Sequence, residues 1–269
     1  MSSSRKKRGG VKSRPTKIQV AVGIPLERNV RDVAFLCFWE IARRGYPIIH
    51  LPYGRTEVLR NMFGKAVLED PDITHLVMMD TDHTHPFDIV ERLLRWPMRD
   101  RDKYQVVSAL AFRRSRPYYP CMFGFGPDGD LHWPVEWPRN TIMKVDGIGH
   151  PALIIDRRVL ERLPFPWWQY EYDDPGEWYT EDTFFSRLCR EAGIDLWCDT
   201  TIECPHLADQ EITEATFRAH LGAHPPKKVF VDGMAQEFKG GHDGQTSRSA
   251  RTPVQEEALN ANISSAVEV

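Results

Sequence analysis

Thr74-His75-Leu76-Val77-Met78-Met79-Asp80-Thr81-Asp82 is an apolar run that stops on two acids one residue apart. The run is short and continuous rather than alternating. That pattern predicts a strand over Thr74–Met79 buried on both faces, as in a sheet covered by helices on each side. Asp80 then falls at the carboxyl end of that strand. In open α/β sheets ligands bind beyond such ends.

The neighbouring segments support this reading. Lys17–Ile24 predicts a strand, with Ile18, Val20 and Val22 on one face, ending at the turn Gly23-Ile24-Pro25. Asn29–Arg44 predicts a helix whose apolar Val33, Leu36, Phe38 and Ile41 follow the helical period. Pro47–Leu51 reads as a second strand, and Thr56–Glu69 as a helix capped by Thr56. After the acids, Pro86–Arg95 reads as a helix with proline in its first turn, and Gln105–Phe112 as a fourth strand. The order βαβαβ predicts a parallel, Rossmann-like sheet.

Beyond residue 112 the pattern is less regular. Tyr119–Phe125 and Leu131–Trp133 flank the turn Gly126-Pro127-Asp128-Gly129. Met143–Val145 and Leu153–Ile155 read as strands around Gly147-Ile148-Gly149. Glu181–Ala192 reads as a helix closed by Gly193, and Asp195–Cys198 as a last short strand.

The bulk of the chain restricts the function classes. No apolar run approaches the roughly 20 residues of a membrane span. The charges at the N-terminus are followed by no apolar stretch, so no secretory signal is expected there. The five cysteines include no CxxC pair, which points to a reducing, cytoplasmic setting rather than a disulfide framework. Net charge is -3, yet residues 5–17 carry seven Lys or Arg and no acid. Residues 1–16 and 233–269 are polar and Gly/Ser-rich, and disordered tails are expected at both ends. The basic tail reads as a solubilising arm or as a phosphate-binding one.

Residues i and i+2 of an extended segment point the same way. Asp80 and Asp82 can therefore present two carboxylates to one hard cation, which in turn can bridge the phosphates of a nucleotide diphosphate. The same pair also suits a solvated turn after a strand. His83 and His85 read as loop residues in preference to further ligands. Thr180-Glu181-Asp182 opens a helix, where acids complement exposed N–H groups. It can equally supply a carboxylate base. Pro164–Tyr179 is densely aromatic and suits either sugar stacking or packing on the sheet. Arg113, Arg114 and Arg116 form a basic patch suited to phosphate.

Arg60-Asn61, Asp80-Thr81-Asp82, Val145-Asp146-Gly147-Ile148-Gly149, Thr180-Glu181-Asp182 and Cys204-Pro205-His206 occur in this order. The set resembles GT-A fold glycosyltransferases, family 2-like enzymes of bacteria and phages in particular, over residues 17–207. The resemblance implies a single GT-A domain over 17–232, with a mixed central sheet flanked by helices. Residues 17–112 would bind the nucleotide-sugar, and 113–232 the acceptor. Pro25 and Glu27 would border the nucleobase. Arg60 would approach base or diphosphate, and Asp80 would lie near ribose and metal. Asp82 and His206 would complete the site for Mn²⁺ or Mg²⁺. Gly147 and Gly149 would lie where donor and acceptor meet. Asp182 would be the catalytic base of an inverting reaction, with Glu181 beside it. The donor would be of UDP or GDP type, and the acceptor is open between a glycan and modified DNA. The basic QxxRW-type motif and membrane helices of processive synthases are absent from the sequence. Two other readings share the aspartate pair: a metal-dependent nucleotidyltransferase or phosphohydrolase, and a non-catalytic nucleotide-sugar-binding module.

Overall fold

The structure, a computed structural model, describes residues 17–26, 30–51, 54–125, 131–172, 178–208, 211–225, 228–231 and 234–237. The expected tail over 1–16 lies outside these residues, as does most of that over 233–269.

The first half alternates strand and helix: β1 Val20–Gly23, α1 Asp32–Arg43, β2 Ile48–Ile49, α2 Thr56–Glu69, β3 His75–Met79, α3 Ile89–Arg99 and β4 Val106–Leu110. Next come β5 Met122–Phe125, β6 Leu131–His132, β7 Ile142–Val145, β8 Gly147–Ile148, β9 Ala152–Asp156 and α4 Arg157–Arg162. The chain continues through β10 Glu171–Tyr172, β11 Trp178–Tyr179, α5 Glu181–Glu191, β12 Leu196–Glu203, β13 His206–Leu207 and β14 Glu211–Ile212. It closes with α6 Glu214–Ala223, β15 Lys228–Val231 and β16 Met234–Glu237.

Seven strands form one central sheet in the order β2-β1-β3-β9-β4-β12-β7. β1 runs parallel to β2 and β3, and β12 parallel to β4. β9 is antiparallel to both β3 and β4, and β7 antiparallel to β12. The result is the mixed, Rossmann-like α/β fold expected. β9 enters between β3 and β4, so the fourth predicted strand does not pair with the third.

β3 is buried along its whole length. Leu76 and Met78 join a core on one face with α2, α4 and α5, whereas Val77 and Met79 join a core on the other with α1 and α3. This is the period-2 alternation of a strand that has helices on both sides.

Several local expectations are corrected. In α1 the buried stripe is Ala34, Cys37, Phe38 and Ile41, while Val33 and Leu36 are 43% and 56% exposed. Phe35 and Trp39 are also apolar and exposed, so the helix has no single apolar face from which to read its orientation. Arg55, not Thr56, is the N-cap of α2. α3 starts at Ile89, so Pro86 precedes it, and Pro97 lies inside it. The last sheet strand is longer than expected, reaching Glu203, with a register shift between Asp199 and Glu203. The β15–β16 pair extends past residue 232, where the domain was expected to end. Among the described residues, no helix is long and apolar enough to cross a membrane.

Candidate functional site

The chain leaves β3 at Met79, and Asp80 N–H donates to Pro151 O (3.0 Å), anchoring the acids beside β9. The register shift in β12 carries the chain toward the same edge. Thr84 N–H donates to Pro205 O (2.9 Å), and Leu207 N–H to Asp82 O (2.7 Å). His83 and His206 face each other across this short antiparallel bridge. The ladder sets His206 Nε2 3.2 Å from Asp82 Oδ2, across 124 positions of sequence. His206 Nδ1 lies 2.9 Å from Phe112 O. A carbonyl only accepts, so Nδ1 carries the proton. Nε2 then meets the carboxylate only through a second proton or a shared cation. A backbone carbonyl orienting an imidazole in this way is usual behind metal-ligating histidines.

Asp82, His83 and His206 are the described side chains whose ligand atoms all lie within 4.8 Å of one another. His83 Nδ1 is 2.9 Å from Asp82 Oδ1, and its ring stacks on that of His206 with centroids 4.0 Å apart. His83, expected to be a loop residue, thus belongs to the cluster. His85 does not: its Nε2 donates to Asp80 O (2.8 Å) and braces the turn.

Asp80 was expected among the metal ligands and is not in this group. Both its oxygens accept from Arg60 Nη2, at 2.8 and 3.0 Å. Arg60, expected near the base or diphosphate, is the partner of Asp80. Its guanidinium is 3% exposed, with Nη1 against His150 Nδ1 and Nη2 3.6 Å from Glu181 Oε1. In this structure its Nη1 and Nη2 tie the end of β3, α5 and the loop after β8 together, while its buried Nε has no hydrogen-bond partner. The exposed cation beside the cluster is Arg114, whose Nη1 is 3.4 Å from Asp82 Oδ2.

Asp182 sits in the first turn of α5. Its Oδ1 accepts from the Thr180 hydroxyl and from Thr183 N–H (2.9 Å). Its Oδ2 lies 3.6 Å from where a Cβ on Gly149 would stand. That Cβ would also come within 2.7 Å of Cys121 Cβ. Gly149 therefore keeps the space before Asp182 open. Gly147 serves packing, since a Cβ there would meet Phe123 Cζ at 1.9 Å. Pro25 is buried past the end of β1, and Glu27 lies outside the described residues.

The described part of the aromatic segment packs on the sheet at Trp167 and Trp168. Trp167 and Trp168 are buried core residues, and Trp168 stacks on Phe185 with centroids 4.9 Å apart. Asn61 holds them, accepting from Trp167 N–H (3.0 Å) and donating to Trp168 O (2.6 Å). Tyr170 instead hydrogen-bonds Glu181. Residues 173–177 lie outside the described residues.

Four carboxylates thus crowd one edge of the sheet, with a single buried guanidinium among them. Burial, opposed by Arg60 and reinforced by Asp82, Glu181 and Asp182, pushes the Asp80 carboxyl up to about 8. Burial and then Glu181 push Asp182 up. Burial also acts to raise Asp82, but His206 and His83 outweigh it and hold that carboxyl well below its ordinary range. The proton-binding groups of this edge compete for too little positive charge.

Sequence reasoning missed His83 and His150. His83 had a signal in its place directly after Asp82. His150 had one in following the Gly147-Ile148-Gly149 turn.

No protein-family model matches the sequence, and no curated protein does. Among solved structures, the crystal structure of A197 from STIV aligns with a TM-score of 0.52 at 16% identity, over 74% of this chain and 92% of that one. GalNAc-T7 with UDP, GalNAc and Mn²⁺ aligns at 0.46 and 9% identity, over 77% of this chain and 48% of that one. CMP:2-keto-3-deoxy-manno-octonic acid synthetase complexed with CTP aligns at 0.42 and 12% identity, over 76% and 98%. The likeness to A197 shows a shared fold. Substrate and reaction rest on the site itself.

Proposed function

We propose that the protein is a metal-dependent glycosyltransferase that moves a sugar from a nucleotide-diphosphate donor to an acceptor hydroxyl with inversion. The observation that carries this reading is the bridge between residues 82–84 and 205–207. It sets Asp82 and His206 in contact at the carboxyl edge of the sheet, with Asp182 on the same edge behind Gly149.

Asp82 and His206 would hold Mn²⁺ or Mg²⁺, which when bound neutralises charge on a departing diphosphate. The chain's own residues supply the rest. The Thr180 hydroxyl and Thr183 N–H engage Asp182 Oδ1, leaving Oδ2 to take the proton of the acceptor hydroxyl. The acceptor oxygen then bonds to the anomeric carbon. The bond from that carbon to the diphosphate oxygen breaks, and its electron pair leaves with the diphosphate. Burial and Glu181 raise the proton affinity of Asp182, which suits a base working nearer neutral pH. Arg60 acts at one remove, by holding Asp80 and Glu181 in place. Arg114, exposed beside Asp82, is placed to meet the diphosphate.

The test is incubation of the purified chain with Mn²⁺ and each common UDP- and GDP-sugar. Release of nucleoside diphosphate is expected. Release of pyrophosphate or phosphate instead would select the nucleotidyltransferase or phosphohydrolase reading. Binding of a nucleotide-sugar without turnover would select the binding module.

A further inference from the structure

The geometry points to His83 as a third protein ligand, making an Asp82–His83–His206 site that takes Mn²⁺, Fe²⁺, Co²⁺ or Zn²⁺ in preference to Mg²⁺, before any nucleotide binds. This inference rests on the reading that Asp82 and His206 hold a cation.

The His83 ring is 4% exposed; its Nε2 has no hydrogen-bond partner, and its Nδ1 meets the Asp82 carboxylate alone. Buried ring nitrogens are almost always satisfied, so a buried ring held by one carboxylate contact calls for an explanation. Its Nδ1 is nevertheless aimed at the cluster, 2.9 Å from Asp82 Oδ1, while His206 Nε2 stands 3.2 Å from Oδ2. Each carboxylate oxygen therefore has one imidazole nitrogen beside it. Ligands held at about 2.0–2.1 Å from a common ion stand about 2.8–3.4 Å apart between octahedral and tetrahedral geometry. The observed spacings fall at that range, so a cation can bind with small side-chain movements. It would engage the Nδ1 of His83 and the Nε2 of His206 together.

The donor set decides the metal. Mg²⁺ favours oxygen ligands and gives up its waters reluctantly. Imidazole favours the later divalent ions of the first transition row. Two imidazoles and one carboxylate, on a backbone fixed by the ladder between 82–84 and 205–207, form a three-point site without help from a phosphate.

The experiment uses the metal-stripped full chain, without nucleotide. Co²⁺ and Mn²⁺ are expected to bind at one equivalent by calorimetry, with Mn²⁺ at least about tenfold tighter than Mg²⁺. Spin-echo modulation of the Mn²⁺-loaded wild type should show two coupled imidazole nitrogens. His83→Ala should show one, weaken Mn²⁺ by about tenfold or more, and narrow its margin over Mg²⁺. A single coupled nitrogen in the wild type would overturn the assignment of His83 whether or not the variant folds. Unchanged Mn²⁺ affinity in a folded His83→Ala would do the same. In both cases the Asp82–His206 reading would stand. If the wild type bound no divalent metal, with or without UDP or GDP, both would fall.

Discussion

β3 has a histidine and an aspartate close together at each of its ends, and the two pairs are built in opposite ways. At the amino end, His75 Nε2 lies 3.6 Å from Asp156 Oδ2, both residues being fully buried. Asp156 is saturated: Arg101 Nε donates at 2.7 Å, Arg158 Nε at 3.0 Å and Arg158 N–H at 2.9 Å. At the carboxyl end, Asp82 faces His83 Nδ1 and His206 Nε2, and its nearest guanidinium is the exposed Arg114; the Nε2 atoms of His75 and His83 both lack a hydrogen-bond partner, so the contrast lies in the carboxylates. One end satisfies its carboxylate within the fold, through Arg101 and Arg158, and so serves stability. The other leaves coordinating capacity open and so serves a ligand. Real folds break the rules of local satisfaction chiefly at functional sites.

Substitution should break this contrast most sharply through Asp182. With Asn at that position, nucleoside diphosphate release in the presence of acceptor should fall by about 10²–10⁴-fold. Mn²⁺ affinity and the melting temperature should hold. An unchanged rate would remove Asp182 as base. Asp156→Ala should do the reverse. It removes the acid from two partly exposed arginines and the cap of α4 and should cost about 1–3 kcal/mol in denaturant unfolding, whereas Asp82→Ala should cost less and abolish metal binding. Equal losses of stability at the two positions would erase the distinction.

What the sequence shows of these ends follows from how local each is. The run Leu76–Met79 announces a doubly buried strand because both faces must be apolar, and the acids after it mark a sheet edge. The ladder that brings His206 to Asp82 is non-local: nothing near residue 206 carries a period, and the register shift in β12 has no residue signature. Resemblance to a known family was needed to connect the two. Arg60 was assigned to the ligand for a related reason. Sequence shows an arginine on a helix but not that Asp80, His150 and Glu181 all converge on it. β9 was legible as a strand, yet its insertion between β3 and β4 depends on sheet order, which side-chain pattern does not encode. In α1 the presence of Phe35, Leu36 and Trp39 outside the buried stripe blurred the period itself.

Gly147 sharpens the contrast at smaller scale, since it belongs to the packing alone, whereas Gly149 borders both Cys121 and Asp182. Gly147→Ala drives a methyl into the Phe123 ring, and overpacking of this kind should cost about 1–3 kcal/mol. Gly149→Ala should lower both stability and transfer rate, because its methyl would press on Cys121 Cβ at 2.7 Å and stand 3.6 Å from Asp182 Oδ2.

The smallest effect is a pH slope at the saturated end. Burial, opposed by Asp156 and aided by Arg101 and Arg158, lowers His75 to about 4 from its ordinary 6.5. Between those values the unfolded chain binds a proton at His75 that the native state does not. Stability contributed by neutral His75 is therefore intact above about pH 6.5 and is lost as pH falls toward 4. His83, His85 and His150 are lowered too, while Asp80 and Asp182 are raised and act with the opposite sign. The total slope mixes both ends, so the informative quantity is a difference. His75→Asn, compared with wild type by urea unfolding at a series of pH values, should flatten the acid-side slope by about one proton, or 1.4 kcal/mol per pH unit at most. Parallel slopes would show that the His75 ring takes up its proton in the native state, in which case Asp156 would hold it as an ion pair.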